Sequence, residues 1–153
     1  MSVLKIDLDL FGYYTPKPLI LYFAFSRLIS FGNWLNVFSR TFTVRKLEVY
    51  NTNKGLHIYI TIAEKLTDIE IALIQSTIDD HVRALFNALR VTGWEFGAFN
   101  ILFRVKSFIY PQGIKRLHCE KRNKLLERFF KKFIFHKHLK AHGKVLKHKN
   151  KAL

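Results

Sequence analysis

Apolar and polar residues alternate strictly along the segment 54–62. The apolar set occupies every second position: Leu56, Ile58, Ile60 and Ile62. The residues between them carry polar groups: His57, Tyr59 and Thr61. Since successive side chains of a strand point to opposite faces of a sheet, this pattern predicts a strand with one buried face and one face that carries polar chemistry.

The N-terminal segment has the same alternation and predicts a second strand of this kind. Its apolar residues are Leu4, Ile6, Leu8 and Leu10, and its polar residues are Lys5, Asp7 and Asp9. If the two strands are neighbours, two carboxylates, an imidazole and a phenol share one face of the sheet. The chemical hypotheses below depend on that adjacency.

The remaining patterns predict a β-α-β-β-α-β order followed by a further helix. Four strands are expected at about 3–11, 41–50, 56–63 and 97–108. Helices are expected at about 18–31, from 68 onwards and over 114–135. This is the order of a ferredoxin-like (RRM-like) α+β sandwich, whose strands lie in the order 4-1-3-2 with both helices on one face. The prediction is therefore a ferredoxin-like α+β domain over 1–113 and an added basic C-terminal helix and tail over 114–153.

Three local signals refine these elements. Thr67 and Glu70 have the spacing of a capping box, which starts a helix near residue 68. The alternation slips at Arg45-Lys46, and a β-bulge would explain the slip. Gly32-Asn33 is expected to end or kink the first helix.

The net charge of +15 is concentrated in the C-terminal quarter. Residues 114–153 hold fourteen Lys and Arg against two acids, whereas residues 1–113 hold twelve against nine. A basic appendage on a near-neutral body points to a polyanionic partner, nucleic acid first and an anionic membrane second. The segment 19–38 is apolar, but Arg27 within it disfavours a transmembrane helix. The single Cys119 cannot form an internal disulfide, which favours an intracellular setting: cytoplasm, organelle matrix or infected host cell.

Basic residues of the expected C-terminal helix are candidate phosphate contacts: Lys115, Arg116, Lys121, Arg122, Lys124, Arg128, Lys131 and Lys132. An apolar stripe on the same helix is expected to dock on the body, so that the basic side faces the polyanion. The alternatives are a basic amphipathic helix on a membrane and a tail that only increases solubility. Each neutralised phosphate contributes about −0.9 to the slope of log K against log salt on duplex DNA, and about −0.7 on single strands. On the sheet, Tyr59 is a candidate for base stacking, with Arg104 and Lys106 for phosphates.

Asp7, Asp9 and His57 are the candidate catalytic residues. Two carboxylates at i and i+2 of one strand can share a divalent metal such as Mg²⁺ or Mn²⁺; the alternative is two solvated charges on an open sheet face. His57 can contact a phosphate or act in acid–base chemistry; the alternative is a half-exposed strand histidine. Gly55, just before it, permits a tight turn or the close approach of a phosphate.

The motifs Asp7-Leu8-Asp9 and Gly55-Leu56-His57 together resemble the D-x-D and later G-x-H motifs of the archaeo-eukaryotic primase superfamily. The resemblance implies an RRM-like core, a divalent metal at the two aspartates and a nucleotide phosphate near the histidine. The chain departs from the family at strand four, where Asn100 stands on the polar face in place of a further acid. The segments 54–60 and 78–83 also look like parts of small uncharacterised proteins of phages and archaeal viruses.

Three functional hypotheses follow. The first is a nucleic-acid-binding protein of a virus or mobile element, in which the basic helix and tail contact phosphates and the open sheet face contacts bases. The second is a metal-dependent nucleotidyl-transfer or nuclease domain that uses Asp7, Asp9 and His57. The third is a structural RNA-binding protein of a ribosome-like particle. The first and third predict that deleting 114–153 leaves a folded body with little affinity.

Overall fold

A computed structural model of the chain describes residues 1–11, 15–79, 81–93, 105–110 and 113–136. The strands within these residues are β1 (Ser2–Asp9), β2 (Val44–Asn51), β3 (Gly55–Ile62), β4 (Val105–Tyr110), β5 (Gly113–Cys119) and β6 (Lys121–Arg122). The helices are α1 (Ile20–Thr41), preceded by a 3-10 turn at Lys17–Leu19, then α2 (Asp68–Ser76), α3 (His81–Val91) and α4 (Lys124–Lys131).

The protein is α+β with a four-stranded antiparallel sheet, in the order β1-β3-β2-β6. The ferredoxin-like order is not confirmed, because the fourth strand of this sheet lies beside β2 and not beside β1. The strand expected over 97–108 lies partly outside the described residues. Its described part belongs to β4, which forms a separate two-stranded sheet with β5.

Side chains occupy the edge of β1 that the ferredoxin-like order assigns to a fourth strand. Even-numbered residues of β1 exchange hydrogen bonds with β3, so the amides of Lys5 and Asp7 point towards the outer edge. The Lys5 amide donates to Gln75 Oε1 at 2.8 Å, and the Asp7 amide donates to Asp79 Oδ1 at 2.7 Å. Among the described residues, these two side chains occupy the edge of β1 at Lys5 and Asp7 and satisfy those two amides.

The hydrophobic core lies between the apolar face of the sheet and two helices, α1 and α4. From α1 come Phe31, Leu35 and Phe38, all buried. From α4 comes Phe130, which is fully buried with its ring edge-on to Phe31, the centroids 4.8 Å apart. Burying one such phenylalanine contributes about 1.5–3 kcal/mol, so this contact is a major part of what holds α4 on the sheet.

The helix expected to end or kink near Gly32 continues to Thr41. A Cβ at Gly32 would lie 2.7 Å from the Phe133 ring, so the glycine allows that ring to approach the helix backbone. Asn36 Nδ2 donates to the Phe133 carbonyl at 2.8 Å and fixes the same contact. The glycine therefore serves packing here rather than helix termination. In the part of the chain that the structure describes, no helix is long and apolar enough to cross a membrane.

The helix expected over 114–135 is wrong over 114–123, because residues 113–119 form β5, which pairs with β4, and Lys121–Arg122 form β6. α4 begins only after Asn123, whose side-chain oxygen accepts from the Leu126 amide at 3.0 Å. The Asn123 amide donates to the Val49 carbonyl at 2.7 Å, so the turn into α4 is tied to β2. The division of the chain at residue 113 stays a prediction, although β6 and α4 both contact the sheet.

Two of the local predictions are confirmed. Thr67 Oγ1 accepts from the Glu70 amide at 3.3 Å, and Glu70 Oε2 accepts from the Thr67 amide at 2.8 Å, which completes the capping box of α2. The register of β2 against β3 shifts between Val44 and Lys46, which is the expected irregularity at Arg45.

Candidate functional site

The predicted adjacency of the acidic pair and the histidine is present in the sheet. β1 and β3 pair in a register that places Asp7 opposite His57 and Asp9 opposite Gly55. His57 Nε2 lies 3.9 Å from Asp7 Oδ1. A Cβ at Gly55 would overlap the carbonyl oxygen of Leu8, so this glycine allows the close approach of β1. The prediction was a tight turn or the close approach of a phosphate.

Glu120 completes the cluster from the other side of the imidazole. Its Oε2 lies 2.7 Å from His57 Nδ1, and its two oxygens lie 3.3 and 3.4 Å from the Tyr59 hydroxyl, which donates. Since a carboxylate accepts hydrogen bonds, this contact places a proton on Nδ1 and turns Nε2 towards Asp7. We name the set Asp7, His57, Tyr59 and Glu120 the polar cluster.

Sequence reasoning missed Glu120. It lies between β5 and β6, outside any alternating segment, and reaches His57 across 63 positions of the chain. The local amino-acid composition gave a signal, because Glu120 is one of only two acids in residues 114–153. A lone acid in a strongly basic segment is a candidate for a buried ion pair with a residue elsewhere.

The polar cluster is buried, so the expectation of an open sheet face is wrong at β3. The side chains of His57 and Glu120 are each 6% exposed, and Tyr59 is 9% exposed. The Tyr59 ring also packs edge-on against Tyr50, with centroids 5.5 Å apart. In this arrangement Tyr59 cannot stack on a base. Asp7, at 30%, is the most exposed side chain of the cluster.

A buried ion pair lies beside the cluster at the outer edge of β1. Asp79 is 3% exposed and pairs with Arg83, four positions later at the start of α3. Burial lowers the pKa of the Arg83 guanidinium, and the charges of Asp79 and Asp7 oppose that lowering. Asp79 stands two residues before α3, where an acid suits the N-terminal end of a helix. It also binds the Asp7 amide, and so holds the backbone of a candidate catalytic residue.

A metal at Asp7 and Asp9 stays a prediction. The two carboxylates are two residues apart on β1, Asp9 is exposed, and Asp7 faces His57. Among the described residues, no group of three His, Cys, Asp or Glu side chains is arranged to hold a metal ion. The described donors therefore supply a pair of carboxylates and not a complete ligand set, so we derive no step through a metal.

The predicted phosphate contacts fall into three groups. Lys115 and Arg116 lie on β5, a strand and not the expected helix. Arg104 lies outside the described residues, as does Asn100, the residue at which the chain departs from the primase pattern, and for Lys106 only its backbone position on β4 is described. The other predicted contacts are exposed on β6, on α4 or just after it: Lys121, Arg122, Lys124, Arg128, Lys131 and Lys132.

Arg122 differs from its neighbours because its guanidinium group pairs with two acidic side chains of the protein. Its Nε donates to Glu127 Oε1 at 2.8 Å, and its Nη1 lies 3.7 Å from Glu48. Burial would raise the pKa of Glu127, but the hydrogen bonds from Arg122 and the Val49 amide outweigh it and hold that pKa below its usual value. We assign Arg122 to the docking of α4.

The docking of α4 follows the predicted pattern. Phe130 is fully buried and Leu126 and Phe129 pack against the core, whereas Lys124 and Arg128 are exposed. The apolar side of the helix therefore faces the body, and its cationic side faces outwards.

Comparison with models of known protein families, with curated proteins and with solved structures finds no match for this chain.

Proposed function

We propose that the protein binds nucleic acid through a basic surface formed by the exposed cations of β6 and α4, which continues into the basic C-terminal segment. The docking of α4 carries the proposal, because the helix buries its apolar side in the core and leaves its cations exposed. A helix that lies on a membrane needs its apolar side for lipid. With Phe130 buried in the core, that use of α4 is not available.

A groove beside α4 extends this surface towards the edge of β2. Its volume is about 380 Å³, and its lining includes Arg45, Lys46, Arg122 and Lys131. Cations of three elements, β2, β6 and α4, thus line one concave site. Arg122 and Lys46 also pair with acids of the protein, so Arg45 and Lys131 are the candidate phosphate contacts in this groove.

Salt dependence of binding tests the proposal. We expect the double variant Lys124→Gln, Lys131→Gln to lower the magnitude of the slope of log K against log salt by about 1.4 on single strands and about 1.8 on duplex DNA. The matched control is Lys17→Gln, Lys65→Gln, which removes the same charge from exposed positions elsewhere. Fluorescence anisotropy with labelled single-stranded and duplex oligonucleotides measures both slopes.

Equal slopes for the two double variants would show that overall charge, and not this surface, attracts the nucleic acid. Absence of nucleic-acid binding by the unmodified chain at low salt would contradict the proposal itself. Preference for structured ribosome-like RNA over single strands would favour a structural RNA-binding role. An intracellular location belongs to the same proposal, since the single cysteine fits a reducing compartment. A viral or mobile-element origin is also part of it, and its support is the resemblance of the segments 54–60 and 78–83 to small viral proteins.

A second candidate function is nucleotidyl transfer or nuclease chemistry at the polar cluster, the activity that the resemblance to the primase superfamily implies. One observation favours it: His57 lies between Asp7 and Glu120, with Nε2 turned towards the more accessible carboxylate. Such an imidazole can take a proton from a substrate hydroxyl or a water near Asp7 while Glu120 stabilises the resulting cation. This candidate function also includes a ferredoxin-like relationship of the fold. The elements that support such a relationship are β1, α1, β2 and β3.

Labelled oligonucleotides with nucleoside triphosphates and Mg²⁺ or Mn²⁺ test this candidate. Extension or cleavage by the unmodified chain should be lost in Asp7→Asn and in His57→Gln, with nucleic-acid affinity retained. No product with either metal would count against the catalytic candidate and leave the binding proposal intact.

A further inference from the structure

The outer face of the first half of α1 is apolar and exposed. Leu21 is 83% exposed, Tyr22 70% and Phe25 67%. Together with the half-buried Ile29 they lie at positions i, i+1, i+4 and i+8, which is one face of a helix. We name these four residues the α1 stripe.

The second half of the same helix shows that the fold does not require such a face. There the inner side supplies Phe31, Leu35 and Phe38 to the core. The outward positions of that half include the polar Asn33 and Arg40. α1 therefore has the usual amphipathic pattern in its second half and an apolar outer face in its first half.

The exposed area is comparable to the largest apolar patch of a typical monomer, about 300–600 Å², and such a patch is often functional. Since an aromatic side chain has about 150–250 Å² of surface, the α1 stripe exposes about 400–500 Å². Leu19 and Phe23, each more than two-fifths exposed, adjoin it. Apolar patches above a few hundred Å² on soluble proteins usually mark an interaction site. Two copies packed through the α1 stripe alone would bury about 800–1,000 Å², and Leu19 and Phe23 would raise the total to about 1,000–1,200 Å², which reaches the lower range of specific interfaces.

The charge around the stripe selects the partner. Residues 18–26 contain no charged side chain, and one exposed cation, Lys17, directly precedes them. Arg27, which follows, donates to the Asp9 carbonyl at 3.2 Å and so turns towards the body. A surface built for anionic lipid has cations along the border of its apolar face, and a surface for a charged peptide has charges of opposite sign. A second copy of this chain offers the matching uncharged apolar surface.

We propose that two copies of the chain associate through their α1 stripes, in a two-fold symmetric contact between the first halves of the two α1 helices. The same patch then serves both copies, as in most homodimers. The inference does not depend on the proposed function. If both hold, the dimer carries two basic surfaces.

Two glutamate variants of the full chain test the proposal. Phe25→Glu and Val37→Glu place the same charge on α1 at positions that are both 67% exposed. We expect the unmodified chain to show a mass near twice 18.1 kDa in sedimentation equilibrium. Phe25→Glu should weaken association more than about tenfold, because each interface contains the position twice. Val37→Glu should leave it unchanged, and the milder Phe25→Ala should weaken it less than Phe25→Glu does.

Three results would overturn the proposal. The first is a monomer at all concentrations, and the second is equal weakening by Phe25→Glu and Val37→Glu. The third is binding of the unmodified chain to neutral lipid vesicles that Phe25→Glu abolishes, which would assign the stripe to a lipid surface. Thermal unfolding of each variant controls for folding. Because both positions are exposed, the melting temperatures should stay close to that of the unmodified chain.

Discussion

Replacing Phe130 by alanine should destabilise the whole domain, although the residue lies in a segment that the sequence assigned to an appendage. Its side chain is fully buried, and its ring contacts Phe31 at a centroid distance of 4.8 Å. Removing a buried phenylalanine side chain costs about 3–5 kcal/mol, a large part of the 5–15 kcal/mol by which domains are usually stable. α4 has eight residues, too few to persist in water without docking.

Urea unfolding followed by circular dichroism and tryptophan fluorescence measures this cost. Trp34 stacks on Phe31 with centroids 5.7 Å apart, so its emission should respond to loss of the neighbouring ring of Phe130. Leu125→Ala is the matched control, because Leu125 lies in the same helix and is 75% exposed. We expect it to change the free energy of unfolding by less than about 0.5 kcal/mol.

A loss of less than about 1 kcal/mol in Phe130→Ala would refute the role of α4 in the core. The segment after 113 would then behave as the appendage that the charge distribution predicted, and its deletion would leave a folded body. With the expected loss, that deletion would expose the core. Charge-removing substitutions are for this reason the sounder test of nucleic-acid binding.

Two further predictions concern the sheet and its contact with α4. Gly55→Ala should lower the free energy of unfolding by about 2 kcal/mol, because the new Cβ would overlap the Leu8 carbonyl and push β1 away from β3. Calorimetry should show a melting temperature about 4–8 °C lower. An unchanged melting temperature would contradict the close approach of the two strands. Glu127→Gln should cost about 1–2 kcal/mol at neutral pH. Because the pKa of Glu127 is lowered in the folded state from its ordinary 4.5, its contribution is present above pH 4.5 and lost as pH falls through the folded pKa. The free energies of unfolding of the unmodified chain and of Glu127→Gln, measured with urea, should therefore converge in acid. A difference that persists there would contradict an ionic contribution.

The strands β1 and β3 could be predicted because each carries a complete period-two pattern. That pattern also placed Asp7 and His57 on the polar faces of neighbouring strands, and the observed register sets them opposite each other. The capping box before α2 was equally local, since Thr67 and Glu70 are three positions apart. These features depend on residues close in sequence, which is why they could be inferred without coordinates.

The rest depended on contacts between distant parts of the chain. β6 is two residues long and has no pattern of its own, so its pairing with β2 could not be inferred. The apolar spacing after residue 113 suited a helix, but strand pairing overrode it in β5. The polar face of β3 was expected to be open because its residues are polar. Glu120 makes burial of His57 and Tyr59 possible by satisfying their polar atoms.

The side-chain acceptors along β1 also determine how this protein can meet other chains. An uncovered strand edge is a template on which a foreign or identical strand can assemble, the first step towards fibrous aggregates. Here an incoming strand would have to displace Gln75 and also Asp79, whose carboxylate is already bound by Arg83. At Lys5 and Asp7, growth of the sheet in that direction is therefore opposed by two side chains of the segment 75–79, and truncating either of them would free one of these amides for an incoming strand.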